Sequence, residues 1–193
     1  MLATGTGARS KVVGGGVTLK GHLRGRPSSE SGHVGLKTSA TRRVKDRDPY
    51  FLGQAIKEAQ RAIRSGELPY GAVVVDPDGV IVARAHDTVV ADRDLTSHAE
   101  ILAVRRAAEA NGPDLSGHTL YATCEPCSMC FSAAWTARLS RLVFGITMRE
   151  LKAGYPESMD EIVIDSFALN KLGSRQLEIV GGVLRDDCLA LWS

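Results

Sequence analysis

The sequence predicts a three-layer α/β/α domain in which helices cover both faces of a mixed five-stranded sheet. Three observations carry that reading. From about residue 49 to the end, short apolar runs alternate with helical stretches in the order α-β-β-α-β-α-β-α-β-α, and alternation of this kind needs a sheet with helices on its faces. The first two strands flank a Pro77-Asp78-Gly79 turn and read as a hairpin, while the later strands are separated by helices, so the sheet is mixed. Hydrophobic residues make up 44% of the 193 residues, enough to bury one core.

Each element has its own signal. Phe51, Leu52, Ala55, Ile56, Ala59 and Ile63 fall on one helical face, and Gly66 stops the helix. Tyr70 to Asp76 reads as a buried strand, and Val80 to Ala85 as its partner. A polar loop, Asp87 to Ser97, leads into a helix of good formers from His98 to Ala110, closed by Asn111-Gly112-Pro113. Leu120 to Thr123 is a short strand, and Pro126 suits the opening of a helix running to about Arg138. Arg141 to Ile146 is a further strand. An acidic helix-like stretch around Ser158 to Leu172, a strand at Gln176 to Val180 and a helix from about Leu184 to Trp192 complete the domain.

Charge divides the chain. Residues 1–48 carry ten Lys or Arg against three acids, a net of +7, whereas residues 49–193 carry 14 against 19, a net of −5. The first segment has no Phe, Tyr or Trp and is rich in Gly, so it cannot bury enough apolar area to offset chain entropy and is expected to be disordered. A nucleic-acid or membrane-surface arm, an organelle transit peptide and a leader without function all fit it; the last is the simplest. The acidic domain repels phosphate backbones, which argues for a small-molecule substrate over nucleic acid. No run approaches the roughly 18 apolar residues of a membrane span. With no secretory h-region and Cys124, Cys127 and Cys130 packed closely together, the sequence points to a reducing, cytoplasmic setting and to metal binding or catalysis instead of disulfides.

The residues that carry chemistry are His98-Ala99-Glu100, followed after 25 residues by Pro126-Cys127-Ser128-Met129-Cys130. Cysteines three apart at the start of a helix project from one face, and the helix N-terminus favours their thiolates. Two thiolates and one imidazole suit zinc, and three protein ligands leave a fourth position for water, the arrangement of a catalytic site. Glu100, two residues past the histidine, can reach that water and suits a proton shuttle. The competing reading is a closed structural site with Cys124 as fourth ligand. Two points favour the open site: Cys124 falls at a strand end with no need to face the metal, and a closed site leaves Glu100 without a task. His-x-Glu followed by Pro-Cys-x-x-Cys is the signature of zinc nucleobase deaminases.

On these residues the sequence resembles the cytidine deaminase-like superfamily, in the branch of guanine, cytosine and nucleoside deaminases and tRNA adenosine deaminases. Leu68-Pro69-Tyr70-Gly71-Ala72-Val73-Val74-Val75 resembles the family's first strand, and Arg141-Leu142-Val143-Phe144-Gly145 its fourth. Gly181-Gly182-Val183-Leu184-Arg185-Asp186-Asp187-Cys188 is similar to the tRNA-type enzymes, whereas Thr123-Cys124-Glu125-Pro126-Cys127 is more like the guanine deaminases. The resemblance implies hydrolytic loss of an exocyclic amine, with Zn2+ on His98, Cys127 and Cys130 and Glu100 moving the proton. It also implies that the backbone N–H of Ala99 and the carbonyl of Glu125 hold the substrate, and that the protein is a homodimer. Phe131, Ala133, Ala134 and Trp135 could supply an apolar face for that dimer; plain core packing is the competing use.

One departure bears on the substrate. Eleven residues before the histidine the family usually has Asn; here it is Asp87, a carboxylate that only accepts and so would prefer an N–H, an amino group or a ribose hydroxyl. A loop shift that leaves Asp87 on the surface is the other reading. The expected activity is deamination of a free nucleobase or nucleoside of guanine or cytosine type. The alternatives are adenosine-to-inosine deamination of tRNA and a non-catalytic zinc-stabilised binding module. His86 reads as a boundary histidine and Trp135 as core, with lining the pocket as the other use of each, and Cys188 as a small buried apolar residue.

Overall fold

The computed structural model describes residues 44–158 and 162–193. The expected disordered segment therefore lies, for residues 1–43, outside the described residues. Packing is already present at Val44, which is buried, and Lys45 pairs with Glu178 at 2.8 Å, ahead of the boundary that composition suggested.

Helix α1 (Asp48–Ser65) buries Phe51, Leu52, Ala55 and Ala59 as their spacing predicts, and Gly66 caps it in the left-handed region at φ 80°. Ile63, placed on the same face by spacing, is 47% exposed near the helix end. Strands β1 (Gly71–Val75) and β2 (Ile81–His86) form the expected antiparallel hairpin, and β3 (Thr119–Cys124) lies antiparallel on the other side of β1. Strands β4 (Arg141–Ile146) and β5 (Glu178–Val180) continue in parallel, which gives the order β2-β1-β3-β4-β5 and the mixed five-stranded sheet.

The helices refine the reading. The polar loop after β2 holds a single turn, α2 (Val89–Asp92), whose Val90 and Ala91 N–H groups donate to the buried Glu67 carboxylate at 3.0 and 2.7 Å. Helix α3 (Ala99–Asn111) starts one residue after His98, which caps it. Helix α4 (Ser128–Thr136) starts two residues after Pro126, because Cys127 is itself the extended cap residue. In place of one acidic helix from about residue 158 there are two short ones, α5 (Met148–Gly154) and α6 (Ser166–Leu172). The first is set by a Thr147–Glu150 capping box and the second by the Asp165 side chain, which accepts from Ala168 N–H. The last helix, α7 (Arg185–Leu189), is shorter than expected and runs into a 3-10 turn at Ala190–Trp192.

Alternation along the strands sends Ala72, Val74, Leu120, Leu142 and Phe144 to one core, shared with α3, α4 and Leu169 of α6. Val73, Val75, Tyr121 and Val143 go to the other, where Ile146 joins them at the end of β4, out of the alternation; this core is shared with α1, Leu151 of α5, and Leu189 and Cys188 of α7. These are the three layers. Gly71 allows β1 to approach α1, since a Cβ there would sit 2.1 Å from the Ala55 carbonyl oxygen. A buried polar network closes one end of the second core. Both Asp48 carboxylate oxygens accept from Arg141 at 2.6 Å, and the Tyr121 hydroxyl donates to Asp48 at 2.8 Å. Burial and that carboxylate push the Tyr121 phenol far above its ordinary range.

Candidate metal centre and active site

Strand directions put the chemistry at one end of the sheet. Because β1 runs antiparallel to β2 and β3, the start of β1 lies beside the ends of both: Gly71 pairs with His86, and its N–H donates to the Thr123 hydroxyl at 3.1 Å. Parallel β4 ends at the same side, with Ile146 opposite Cys124. Tyr70, Asp87, Cys124 to Cys127 and Met148 therefore converge, and the N-termini of α3 and α4 deliver His98, Glu100 and Cys130 to the same place.

The ligand atoms of His98, Cys127 and Cys130 all lie within 4.8 Å of one another. His98 Nδ1 is 3.9 Å from Cys127 Sγ and 3.6 Å from Cys130 Sγ. Tetrahedral zinc with ordinary Zn–S and Zn–N bonds separates nitrogen and sulfur by about 3.6 Å, close to both distances found here. Its chemistry agrees. The hydrogen bond between the two thiols and the neighbouring His98 bring Cys127 down to about 4 against the cost of burial. Cys130 moves upward, through that same bond, its burial and the charge of Glu100. Two sulfurs competing for one proton beside an imidazole form a site made for a soft divalent cation. Cys124 is not in this cluster, although it lines the adjoining cavity.

That cavity measures ≈ 10 Å³ and is lined by Tyr70, His98, Glu100, Cys124, Glu125, Cys127 and Met148. It is about the size of one water. Glu100 is buried in the first turn of α3, close enough to Cys130 to hydrogen-bond its thiol. Ala99 is the first residue of α3, so its N–H is one of those a helix leaves without an intrahelical acceptor. Glu125 is buried, and its side chain holds two distant backbone groups: Oε2 accepts from Met148 N–H at 3.2 Å and Oε1 from Ser166 N–H at 2.6 Å. Asp87 is 4% exposed, so it does not lie on the surface, and its carboxylate accepts from Val89 N–H at 3.2 Å. Burial raises its pKa, against the pull of that amide and of His98. Asp87 stands beside the cavity and is absent from its lining.

Other sequence-based expectations resolve as follows. His86 is half-buried with Nδ1 3.5 Å from Glu58, a boundary position away from the cavity lining. Cys188 is fully buried against Gly145, and burial pushes its thiol up to about 12. Phe131 and Ala134 do not form an exposed dimer face, because both are buried in the first core; Ala133 and Trp135 are half-buried. Trp135 donates its indole N–H to the Arg175 carbonyl at 3.1 Å and lines a separate groove of ≈ 360 Å³ between α4 and α6. Sequence reasoning missed Tyr70 and Met148 as cavity walls, and missed Trp192, whose ring packs on both Tyr70 and Tyr155 at 5.2 and 5.8 Å. Tyr70 sat within a segment already singled out for its strand; nothing local marked the others.

Residues 45–146 match the family described as the cytidine and deoxycytidylate deaminase zinc-binding region. Over 142 residues the chain is 37% identical to a tRNA-specific adenosine deaminase of Bacillus subtilis (strain 168), covering 73% of this chain and 83% of that protein. A solved structure from work on A-to-I editing by tRNA:A34 deaminases at the wobble position superposes with a TM-score of 0.62 at 31% identity, covering 74% of this chain and 98% of that one. A guanine deaminase from Nitrosomonas europaea superposes with a TM-score of 0.66 at 25% identity, covering 89% and 96%.

Proposed function

The chain belongs to the cytidine and deoxycytidylate deaminase zinc-binding family, and from that premise we propose that this zinc-dependent hydrolytic deaminase acts on adenosine in tRNA, yielding inosine and ammonia. The observation that carries the reading is the His98, Cys127 and Cys130 cluster with Glu100 beside it. The resemblance to tRNA-specific adenosine deaminases supports tRNA over the free base or nucleoside that the acidic domain suggested.

In this proposal His98 Nδ1, Cys127 Sγ and Cys130 Sγ hold the ion. Zinc, when bound, supplies the Lewis acidity that makes water nucleophilic near neutral pH. Glu100 takes a proton from the attacking water and passes it to the ring nitrogen next to the reacting carbon; it then takes the remaining proton of the hydroxyl added at that carbon and hands it to the amine, which leaves as ammonia as the C–N bond breaks and the carbonyl forms. The Ala99 N–H and the Glu125 carbonyl orient the ring edge, and the Asp87 carboxylate selects an N–H or hydroxyl donor. Tyr70 supplies a flat wall on which a base extruded from its stack can lie. The ten basic residues of the first 48 positions offer the phosphate contacts that a domain of net charge −5 lacks.

Guanine deamination is the second reading, favoured by the Nitrosomonas europaea likeness and by Cys124 ahead of Glu125-Pro126-Cys127. A panel of tRNA, adenosine, guanine, guanosine, cytosine and cytidine, read by ammonia release and by inosine formation, separates the two. Inosine in tRNA is expected, with Glu100→Gln slower by about 10²–10⁴-fold. Guanine turnover without tRNA inosine would overturn the proposal. A homodimer belongs to it as well, with Ala133, Trp135 and the groove that Trp135 lines as the remaining face; a strictly monomeric mass by light scattering would remove it.

A further inference from the structure

The Glu125 side chain has a task that the metal site does not use. Its carboxylate is buried, and its two oxygens reach the first residues of two different helices, Met148 of α5 and Ser166 of α6. Those amides belong to the set that a helix cannot satisfy internally, and a negative charge is favoured at both helix starts. The Ser166 hydroxyl adds a bond to the Pro126 carbonyl at 3.4 Å, and the Glu125 N–H donates to Ile146 at 2.7 Å. One residue, two positions before a cysteine of the cluster, thus ties down both ends of the crossover from Met148 to Ser166.

The start of that crossover forms part of the cavity wall. Met148 lines it directly; Tyr155 packs on Trp192, which packs on Tyr70, another lining residue. We propose that Glu125 is a positioning residue: its carboxylate clamps the Met148–Ser166 crossover to the turn that carries the metal cysteines, and thereby sets where the cavity wall stands relative to the reacting centre. With each oxygen already accepting an N–H, the carboxylate holds the rim and leaves the proton transfer to Glu100. Only the kinetic readout of this proposal rests on the deaminase function proposed above.

The test is Glu125→Gln in the full-length zinc protein. The amide keeps the shape but offers one acceptor oxygen and turns an N–H2 donor toward the other backbone N–H, so one anchor is lost. Zinc should stay at one per chain. Amide exchange at Met148 or Ser166 should quicken by about tenfold or more, the loss of a single charge-assisted hydrogen bond, while amides of β1 and β3 keep their protection. On an anticodon stem-loop carrying adenosine, KM should rise several-fold with kcat nearly unchanged, the mark of lost positioning.

Ser166→Pro is the second variant. Proline is tolerated at the first position of a helix, and Asp165 already has the extended φ −65° and ψ 146° that a following proline requires; the change deletes the N–H donor to Glu125, together with the long hydroxyl bond to Pro126, and leaves the carboxylate. It should raise KM in the same way. Unchanged exchange at both amides in Glu125→Gln overturns the clamp, as does a fall in kcat at constant KM, which would put the carboxylate in the chemistry. If Glu125→Gln fails to fold, an unaltered KM in Ser166→Pro overturns it. If the stem-loop is not turned over at all, the proposed substrate fails while the exchange measurement still decides the clamp.

Discussion

Two polar clusters share the second core of this protein, and they are built on opposite principles. At one end of the sheet, Asp48, Arg141 and Tyr121 form a set that carries its own cation: the guanidinium gives both oxygens of Asp48 a bond, the phenol gives a third, and Glu178 accepts from Arg141 Nε–H at 3.3 Å. At the other end, His98, Cys127, Cys130 and Glu100 bring together two sulfurs, an imidazole and a carboxylate, all electron-pair donors. Burying a polar group is costly unless it is paired. The first cluster meets that demand with a cation of the chain itself, and the second is composed to meet it with zinc when the ion is bound. The contrast separates a structural ion pair from a catalytic centre more sharply than burial does, since both are buried.

The largest effect should come from removing a member of the second cluster. Cys127→Ala and Cys130→Ala should each lose zinc, measured by elemental analysis of the purified protein, and lose activity entirely. Both should melt earlier, because ion binding is coupled to folding. Cys124→Ser should keep one zinc per chain. Loss of zinc from Cys124→Ser would break the distinction, because the site would then be closed and self-satisfied like the network at the other end.

Next in size is Arg141→Met. It should cost about 3–5 kcal/mol in urea unfolding, since Asp48 would be left buried without its cation. Zinc content should not change, the two clusters lying at opposite ends of the sheet. Replacing Asp48 as well, as Asp48→Leu with Arg141→Met, should recover much of the loss, because two apolar side chains need no partner. A double variant as unstable as the single one would mean that Asp48 matters through the first turn of α1 and not through its charge.

Much of this could be read from the sequence, with a pattern to the rest. The metal cluster was legible because its residues sit at two fixed local spacings, His-x-Glu and Cys-x-x-Cys, that chemistry alone explains. The sheet was legible because strand and helix periodicities differ. The Asp48–Arg141–Tyr121 network was not, since its members lie 73 and 93 positions from Asp48 and none is unusual where it stands. The sequence marks Glu125 for a backbone role only, as the partners of its side chain lie 23 and 41 residues away. Phe131 and Ala134 were offered to a dimer face because apolar spacing in a short helix does not say which neighbour covers it. The start of α5 is a different case: Thr147-x-x-Glu150 is a local signal that was present and went unread.

That capping box supplies the smallest effect, a polar cluster that is satisfied within the chain, as at Asp48, but stands largely in water. Glu150 accepts from the Thr147 N–H at 2.9 Å, from its hydroxyl at 2.7 Å, and from Arg185 at 2.6 Å, which together hold its carboxyl at about 2 against an ordinary 4.5. A depressed carboxylate contributes stability above its unfolded pKa and loses it as pH falls, here from 4.5 down through about 2. At a side chain 34% exposed solvent screening removes most of that shift's face value, which leaves about 1 kcal/mol, the size of a helix cap. Glu150→Ala should therefore unfold about 1 kcal/mol more easily than the unaltered protein at pH 7, and the gap should close as pH drops below 4.5. Acid also protonates the zinc ligands, so the readout is the difference between the two proteins at each pH and not either curve alone. A gap still undiminished at pH 3, or one as large as that of Arg141→Met, would place Glu150 with the buried network, and satisfaction within the chain would then count for as much in water as in the core.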